Sequence, residues 1–462
     1  MLNKKILLPV AALCAAILIP IIFMGYSALS RAETEFTAKN YASAAKSFEQ
    51  AARFLIWRND LWDKAGISAA KNGDSSGAIE YFQHTTTHSE EGWTSLSSTY
   101  LALGKLDLVI ATCKQGLSYY DSPNFYSLLA AAYQGQKKWE LERTALENQL
   151  RLNPQDAYAR YRLGLLLTVF EPQQALPNLM SASSLDPQFD PAVQTLRSAL
   201  NLSATKSDAS QQMLTVGRSL GLVQEWDLSR TAFEKAIALD AHNAEAWAWL
   251  GEAKQQKGQD GRADLDQAVT LDHKSVVVRA LRGLYWNRQK KYSQMLSEYF
   301  AAAEDEPNNP VWQAEIGNSY LKLGDLVTAL AAYQHATDLA PNESTYWRLL
   351  AVFCADSGVR LEDVGLPAAE KAVKLAPDDP FAADALGWSY LSSGRYANAE
   401  ETLLDVIKRF PEHLPAHIHL AMTYLAQGNR VAAFDKLTYV QKVDLNGVDG
   451  ETAKQLLKQY FP

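Results

Sequence analysis

Small residues recur along this chain at Gly217, Gly251, Gly283, Gly317, Ala351, Gly387 and Ala421, with steps of 34, 32, 34, 34, 36 and 34 residues. Seven residues beyond most of them stands another glycine: Gly258, Gly324, Gly358, Gly394 and Gly428. Alanines keep step at Ala236, Ala268, Ala302, Ala336 and Ala372, and prolines at Pro307, Pro341, Pro377 and Pro411. Tracks of different residue types that share one period describe a unit too small to bury its apolar face alone, so copies must stack. A single core is excluded as well, because cores stop growing at roughly 250–300 residues and this chain has 462.

The clearest copy is residues 310–343, PVWQAEIGNSYLKLGDLVTALAAYQHATDLAPNE. It reads as a helix, a turn and a second helix. Gly317 lies in the first helix, where a nearly absent side chain lets another helix approach closely. Gly324 fits a helix end that needs a left-handed residue, and Pro341 blocks further helix while tolerating a helix start. Ala329, Tyr333 and Ala336 share one face of the second helix, with the tyrosines expected to fill the space above the small residues. Trp247, Leu250 and Gly251, then Leu386, Gly387 and Tyr390, then Leu420, Ala421 and Tyr424 follow one pattern. That pattern resembles the tetratricopeptide repeat, W-x2-L-G-x2-Y followed by A-x3-F and P. Looser copies run through Gly66, Gly73, Ala78 and Phe82, through Trp93, Leu96, Tyr100 and Gly104, through Leu129, Ala130, Tyr133 and Pro154, and through Leu163, Gly164, Ala182 and Pro187. The resemblance implies an all-α, right-handed solenoid of about twelve repeats over roughly 400 residues.

Two places interrupt the rhythm. At residues 190–209 a helix-like PAVQTLRSAL gives way to polar NLSATKSDAS before a new repeat begins near Ser210. One unpaired helix with a Ser/Thr/Asp linker predicts a pivoting junction between two arrays. The other interruption is the N-terminus, where Lys4 and Lys5 precede an uncharged run, residues 6–26, ILLPVAALCAAILIPIIFMGY. At 1.5 Å per residue this run comes to about 30 Å, the thickness of a bilayer's hydrocarbon core. Pro9 and Pro20 are compatible with a spanning helix. The expected organisation is a transmembrane signal-anchor at 1–26, an N-terminal array at 27–189, the junction at 190–209, a C-terminal array at 210–447 and a capping helix at 448–462. In that cap Leu456, Leu457, Tyr460 and Phe461 face the last repeat.

The positive-inside rule leaves the N-terminus cytoplasmic and places the repeats outside the cytoplasm. The competing expectation is a secreted protein, cleaved at the small residues Ser30 and Ala32. Its apolar region would be unusually long, and a cut after Ala32 would divide a helix that begins near Gly25. Only two of the 44 basic residues, and none of the 52 acidic ones, precede Tyr26, so the body beyond it carries a net charge of −10. Such a body is expected to stand off anionic lipid, and its acidity argues against nucleic acid as a partner.

Chemistry-bearing residues are sparse. Cys14, Cys113 and Cys354 form no C-x-x-C and no disulfide framework. Cys14 is no lipidation site, since Leu13 stands where a small residue belongs. Cys113 and Cys354 occupy repeat positions that predict burial. His84 and His88 fall at the end of a second helix, while His417 and His419 are about 200° apart on one helix and cannot face one metal. Trp62, Trp93, Trp247 and Trp347 share one repeat slot. No phosphate loop or nucleophile elbow is present. No metal, cofactor or small-molecule substrate is expected, and no enzyme activity.

The resemblance implies a non-catalytic scaffold or assembly factor, anchored in the membrane and binding other proteins. A competing reading is an accessory subunit of an envelope polysaccharide or cytochrome biogenesis system. Membrane-anchored repeat proteins of lipopolysaccharide assembly end in a cysteine-rich metal knuckle, and here no cysteine follows Cys354. In this family the exposed positions of each first helix line a concave groove. Carried over, they are Arg218, Glu252, Asn287, Arg288, Asn318, Lys322, Arg348, Asp384 and Trp388. Between Asn287 and Arg348 those positions hold only amides and cations, which implies an acidic segment or a terminal carboxylate as ligand. This is similar to the carboxylate clamp of chaperone-binding members, although Ala280 and Ala314 stand where that clamp has polar groups. Ordinary solvated charge is the competing explanation. Arg288, Asn318 and Arg348 are expected to tolerate alanine without loss of stability, and Tyr158 and Tyr161 offer the alternative surface.

Overall fold

The computed structural model describes residues 4–462, with the side chains of residue 16 and residues 18–462. Among the described residues the regular structure is helical throughout, with no strand. Two compact units divide between Leu239 and Asp240. In the first, α1 (Lys4–Thr37) pairs with α2 (Tyr41–Phe54), α3 (Asp60–Lys71) with α4 (Ser75–Phe82), and α5 (Glu90–Ala102) with α6 (Leu106–Leu117). The pairs α7 (Pro123–Gly135) with α8 (Trp139–Leu152) and α9 (Ala157–Phe170) with α10 (Pro172–Leu185) follow. A single helix, α11 (Asp190–Ala204), then precedes α12 (Ala209–Leu222) and α13 (Trp226–Leu239).

The second unit continues with α14 (Ala244–Gln256) and α15 (Arg262–Leu271), α16 (Val276–Arg288) and α17 (Tyr292–Asp305), then α18 (Pro310–Leu323) and α19 (Leu326–Leu339). It ends with α20 (Ser344–Ser357) and α21 (Leu366–Leu375), α22 (Pro380–Ser392) and α23 (Tyr396–Arg409), α24 (Leu414–Ala426) and α25 (Arg430–Val443), and lastly α26 (Val448–Tyr460). These make twelve pairs.

The pairing follows from the small-residue track. A methyl on Gly217 would meet Phe233 at 2.4 Å, on Gly283 would meet Tyr299 at 2.6 Å, and on Gly387 would meet Leu403 at 2.6 Å. Tyr299 and Tyr333 do fill the space over Gly283 and Gly317. The turn seven residues on also behaves as the sequence predicts: Gly324 ends α18 in the left-handed region, with φ 83°. Where the track lacks its glycine the backbone keeps the same conformation, with Gln224 at φ 64° and Lys290 at φ 55°. For a residue with a Cβ that costs roughly 1–2 kcal/mol.

Several first helices are also capped at their start or clamped to the loop before them. Side chains of Asn243, Ser275, Asn309 and Asp379 accept backbone N–H groups at the starts of α14, α16, α18 and α22. Farther in, Trp247 Nε1 donates to the Ala241 carbonyl at 3.0 Å, and Trp347 Nε1 to that of Pro341 at 2.9 Å. Arg160 Nε reaches the Pro154 carbonyl, Arg279 Nε that of His273, and His417 Nε2 that of Pro411. In all five the side chain turns back six residues to close the loop that precedes its own helix. The steps of 32 and 36 residues arise elsewhere. Helix α15 has 10 residues where α17 has 14, and a π-turn (Leu361–Gly365) is inserted before α21.

At 190–209 the backbone is helical through Ala204, and only residues 205–208 link α11 to α12. Val193, Leu196 and Leu200 are buried in the same core as Leu163 and Leu220. Helix α1 runs unbroken past Ala32, which is fully buried against its neighbours. Among the described residues no helix is long and apolar enough to cross a membrane. Much of the expected span, residues 6–15 and 17, lies outside the described side chains, as does Cys14.

Candidate functional site

The positions expected to form the groove lie on successive first helices, and the structure shows what each one touches. Arg288 on α16 forms a two-pronged ion pair with Glu252 on α14, Nη1 to Oε2 at 2.6 Å and Nη2 to Oε1 at 2.7 Å. Those hydrogen bonds hold the Arg288 guanidinium above its usual range against the opposing effect of burial. Glu252 is itself buried and accepts a further bond from Gln256. Arg288 is therefore not a free groove cation. Alanine there would strand a buried carboxylate, and the expectation of a silent substitution is corrected on that ground.

Asn318 points its Nδ2 at Glu315 of its own helix, 3.5 Å away, while burial pushes the Glu315 carboxyl upward. Arg348 on α20 lies over the Phe381 ring of α22 at 5.7 Å. Trp388 on α22 donates to Asp356 of α20 at 2.7 Å and stacks on His419 of α24 at 4.6 Å. Asn287 is half-buried, and Lys322 is exposed, with no ion-pair partner among the described residues. Arg218 is exposed on α12 in the first unit, whereas the other positions belong to the second. In the alternative surface Tyr158 is exposed and Tyr161 stacks on Phe189 at 4.6 Å.

One constellation was not anticipated. Asp384 on α22 is buried between His419, whose Nδ1 lies 2.8 Å from Oδ1, and His413, whose Nε2 lies 3.7 Å from Oδ2. Burial works to raise this carboxyl, but the two imidazoles outweigh it and hold it below the usual range. His417, in the slot used by Trp247 and Trp347, points instead at its own loop, so the three histidines do not converge. Burial pulls the His417 imidazole down.

A second buried carboxylate, Asp63, accepts from Ser89 Oγ at 2.6 Å and from the Ser89 amide at 3.0 Å, with His88 Nδ1 at 2.8 Å. Hydroxyl and imidazole both turn to the carboxylate, so the imidazole is not placed to activate the hydroxyl as a nucleophilic triad requires. Among the described residues no group of three or more His, Cys, Asp or Glu side chains is placed to hold a metal ion. Cys113 and Cys354 are buried, and burial pushes each thiol up to about 11, far from a reactive thiolate.

Close contacts between a small first-helix residue and the second helix of its pair, left-handed turns, and contacts between successive first helices are the features of a tetratricopeptide-repeat solenoid. The tetratricopeptide-repeat family model matches residues 315–380 and 385–441. The chain is similar to anaphase-promoting complex subunit 3 of Schizosaccharomyces pombe, 24% identical over 174 residues, covering 37% of this chain and 26% of that protein. It is also similar to a TPR repeat-containing protein of Pseudomonas aeruginosa, 43% identical over 49 residues, covering 10% of this chain and 8% of that one. The alignments thus span only about a quarter or less of these relatives. A crystal structure of a tetratricopeptide repeat protein from Parabacteroides merdae aligns at 14% identity and a TM-score of 0.45, covering 54% of this chain and 98% of that one.

Proposed function

We propose that this chain is a membrane-anchored, non-catalytic scaffold that holds acidic segments of partner proteins on the first helices of its second unit. The anchor is residues 6–26, uncharged and preceded by Lys4 and Lys5. The repeats lie outside the cytoplasm. The observation that carries the binding reading is the division of labour among the groove cations. Arg288 serves the fold through Glu252, whereas Lys322 and Arg348 have no carboxylate partner among the described residues. Contacts from α20 through α24 hold the row in place: Arg348 on Phe381, Trp388 on Asp356 and His419, and His419 on Asp384. A ligand therefore meets Arg348 already held in place and does not have to order it, which lowers the cost of binding.

The test uses a polyglutamate peptide with a free C-terminus. Wild-type protein should bind it in a salt-sensitive manner. A Lys322→Ala/Arg348→Ala variant should keep its melting temperature and lose affinity by roughly tenfold or more, since a charge-assisted hydrogen bond contributes about 1.5–3 kcal/mol. Undiminished binding by that variant would move the surface to Tyr158 and Tyr161.

A further inference from the structure

Exposed apolar side chains in the second unit, such as Val327 and Val431, stand among exposed polar neighbours, as is ordinary for a protein surface. The loop between α2 and α3 is different. Leu55 is fully buried, and the next two residues, Ile56 and Trp57, are 76% and 56% exposed. Two adjacent large apolar side chains at a loop tip are thus left largely open to solvent.

Their position is set by Gly25. Helices α1 and α2 run antiparallel in a steady register: Ser47 bonds Glu35 at 2.7 Å, Arg31 bonds Ser47 at 3.2 Å, and Gly25 lies against Leu55. A methyl on Gly25 would come within 2.6 Å of Leu55 and 3.1 Å of Phe54. The α2–α3 loop is thereby fixed at the height of Gly25, where the uncharged run of α1 ends. On α1 just beyond that height Phe23 is 73% exposed, and Leu18, Ile19 and Met24 are exposed as well. At 1.5 Å per residue, Phe23 stands about 3 Å and Leu18 about 10 Å farther along the helix axis. Tyr26 is exposed at the same level as the loop.

We infer that Ile56 and Trp57 insert into the headgroup region of the bilayer, so that the first repeat rests on the membrane in place of hanging from the anchor by a free stalk. The inference rests on the anchoring reading above and adds a second point of lipid contact to it. Trp57 with Tyr26 supplies the amphipathic aromatics that favour a membrane–water interface, and Ile56 with Phe23 supplies apolar area continuous with α1. The acidity of the body does not oppose this. Fixed charges act over a Debye length of about 8 Å at physiological salt. Within the loop and the end of α2 the charges are matched, Arg58 with Asp60 at 2.7 Å and Arg53 with Glu49 at 2.7 Å. The following inter-pair loop, residues 83–89 (QHTTTHS), is polar and offers no such apolar tip.

The test places single spin labels on the full chain with Cys14→Ala as background, since Cys113 and Cys354 are buried and slow to label. The protein is reconstituted into vesicles of phosphatidylethanolamine and phosphatidylglycerol. Collision with oxygen, which concentrates in lipid, is compared with collision with a water-soluble nickel chelate. Labels at Trp57→Cys and, in a second variant, Ile56→Cys should favour oxygen, as should one at Leu18→Cys. A label at Ser76→Cys, at the opposite end of α3, should favour nickel. If the Leu18 label is in lipid while the Trp57 and Ile56 labels match Ser76, the insertion is refuted and the anchor stands. If the Leu18 label is also aqueous, the anchor and the insertion both fall.

Discussion

The sharpest perturbation available in the first unit is Arg162→Met. Arg162 on α9 is 4% exposed, and its Nε and Nη2 reach the fully buried Glu142 of α8 at 2.5 and 3.3 Å. Its Nη1 reaches Glu225, in the turn between α12 and α13, at 2.9 Å. Burial holds the Glu142 carboxyl above its usual range even with Arg162 beside it. Removing the cation leaves a lone carboxylate in the core, a change that costs about 3–5 kcal/mol. Because each 1.4 kcal/mol is a factor of ten, amide exchange across α8 and α9 should accelerate by roughly two to three decades if those helices open together. Glu142 can relieve its position only by taking up a proton, so the deficit should shrink as the pH falls from about 7 towards 5. A second variant separates charge from volume: with Glu142→Leu added, the buried acid is gone and stability should return to within about 1–2 kcal/mol of wild type or exceed it. Hydrogen exchange read by mass spectrometry, with urea unfolding alongside, decides the matter. If Arg162→Met alone unfolds within about 0.5 kcal/mol of wild type, the cluster is not the buried charge pair described here.

Three further outcomes are expected. Lys290→Gly should raise the melting temperature, because relief of a left-handed non-glycine residue contributes about 1 kcal/mol; an unchanged or lower value would show that the Lys290 side chain stabilises the turn by other means. Burial depresses the His417 imidazole, so the folded state disfavours its protonation, and stability should fall as the pH drops below the unfolded value of about 6.5. His417→Trp, which restores the residue found at Trp247 and Trp347, should flatten that part of the pH profile, and an unaltered slope would assign it to another group. Limited proteolysis should cut first after Lys206, in the four-residue link between α11 and α12; a first cut at residues 239–240 would place the joint at the boundary of the compact units.

The period made the helical pairs legible, because the residues that repeat, Gly317 and Gly324 for example, act within a single pair. Gln224 and Lys290 show the limit of that reading. Their left-handed backbone is imposed by the flanking helices, and nothing in a glutamine or lysine announces it. The candidate site was legible as positions and not as interactions. Arg288 looked like a solvated cation because its partner lies 36 residues away. Trp388 and Asp356 are 32 apart, and His419 and Asp384 are 35 apart. Each separation is close to one repeat, so complementary polar groups one period apart on first helices were the available signal. The link between His413 and His419 was hidden for a related reason, since they are joined through a carboxylate on the preceding pair and not through each other.

The side chains that turn back six residues make the joint between neighbouring pairs a ruler. Wherever Arg160, Trp247, Arg279, Trp347 or His417 makes that bond, the loop it closes has four residues: 153–156, 240–243, 272–275, 340–343 and 410–413. Trp93, in the same slot, has no partner for its Nε1 among the described residues, and the loop before it stretches to seven residues, 83–89. A chemically varied set of side chains thus enforces one length, because what is conserved is the reach from the helix to a carbonyl, whether an indole, a guanidinium or an imidazole spans it. Length can change only where nothing measures it, and the short α15 and the inserted turn before α21 are both on the far side of their pair. A foreign segment grafted at Leu361–Gly365 therefore enters a place where this chain already tolerates extra residues, while a single residue added at 340–343 would pull the Pro341 carbonyl away from Trp347 and break the spacing between pairs.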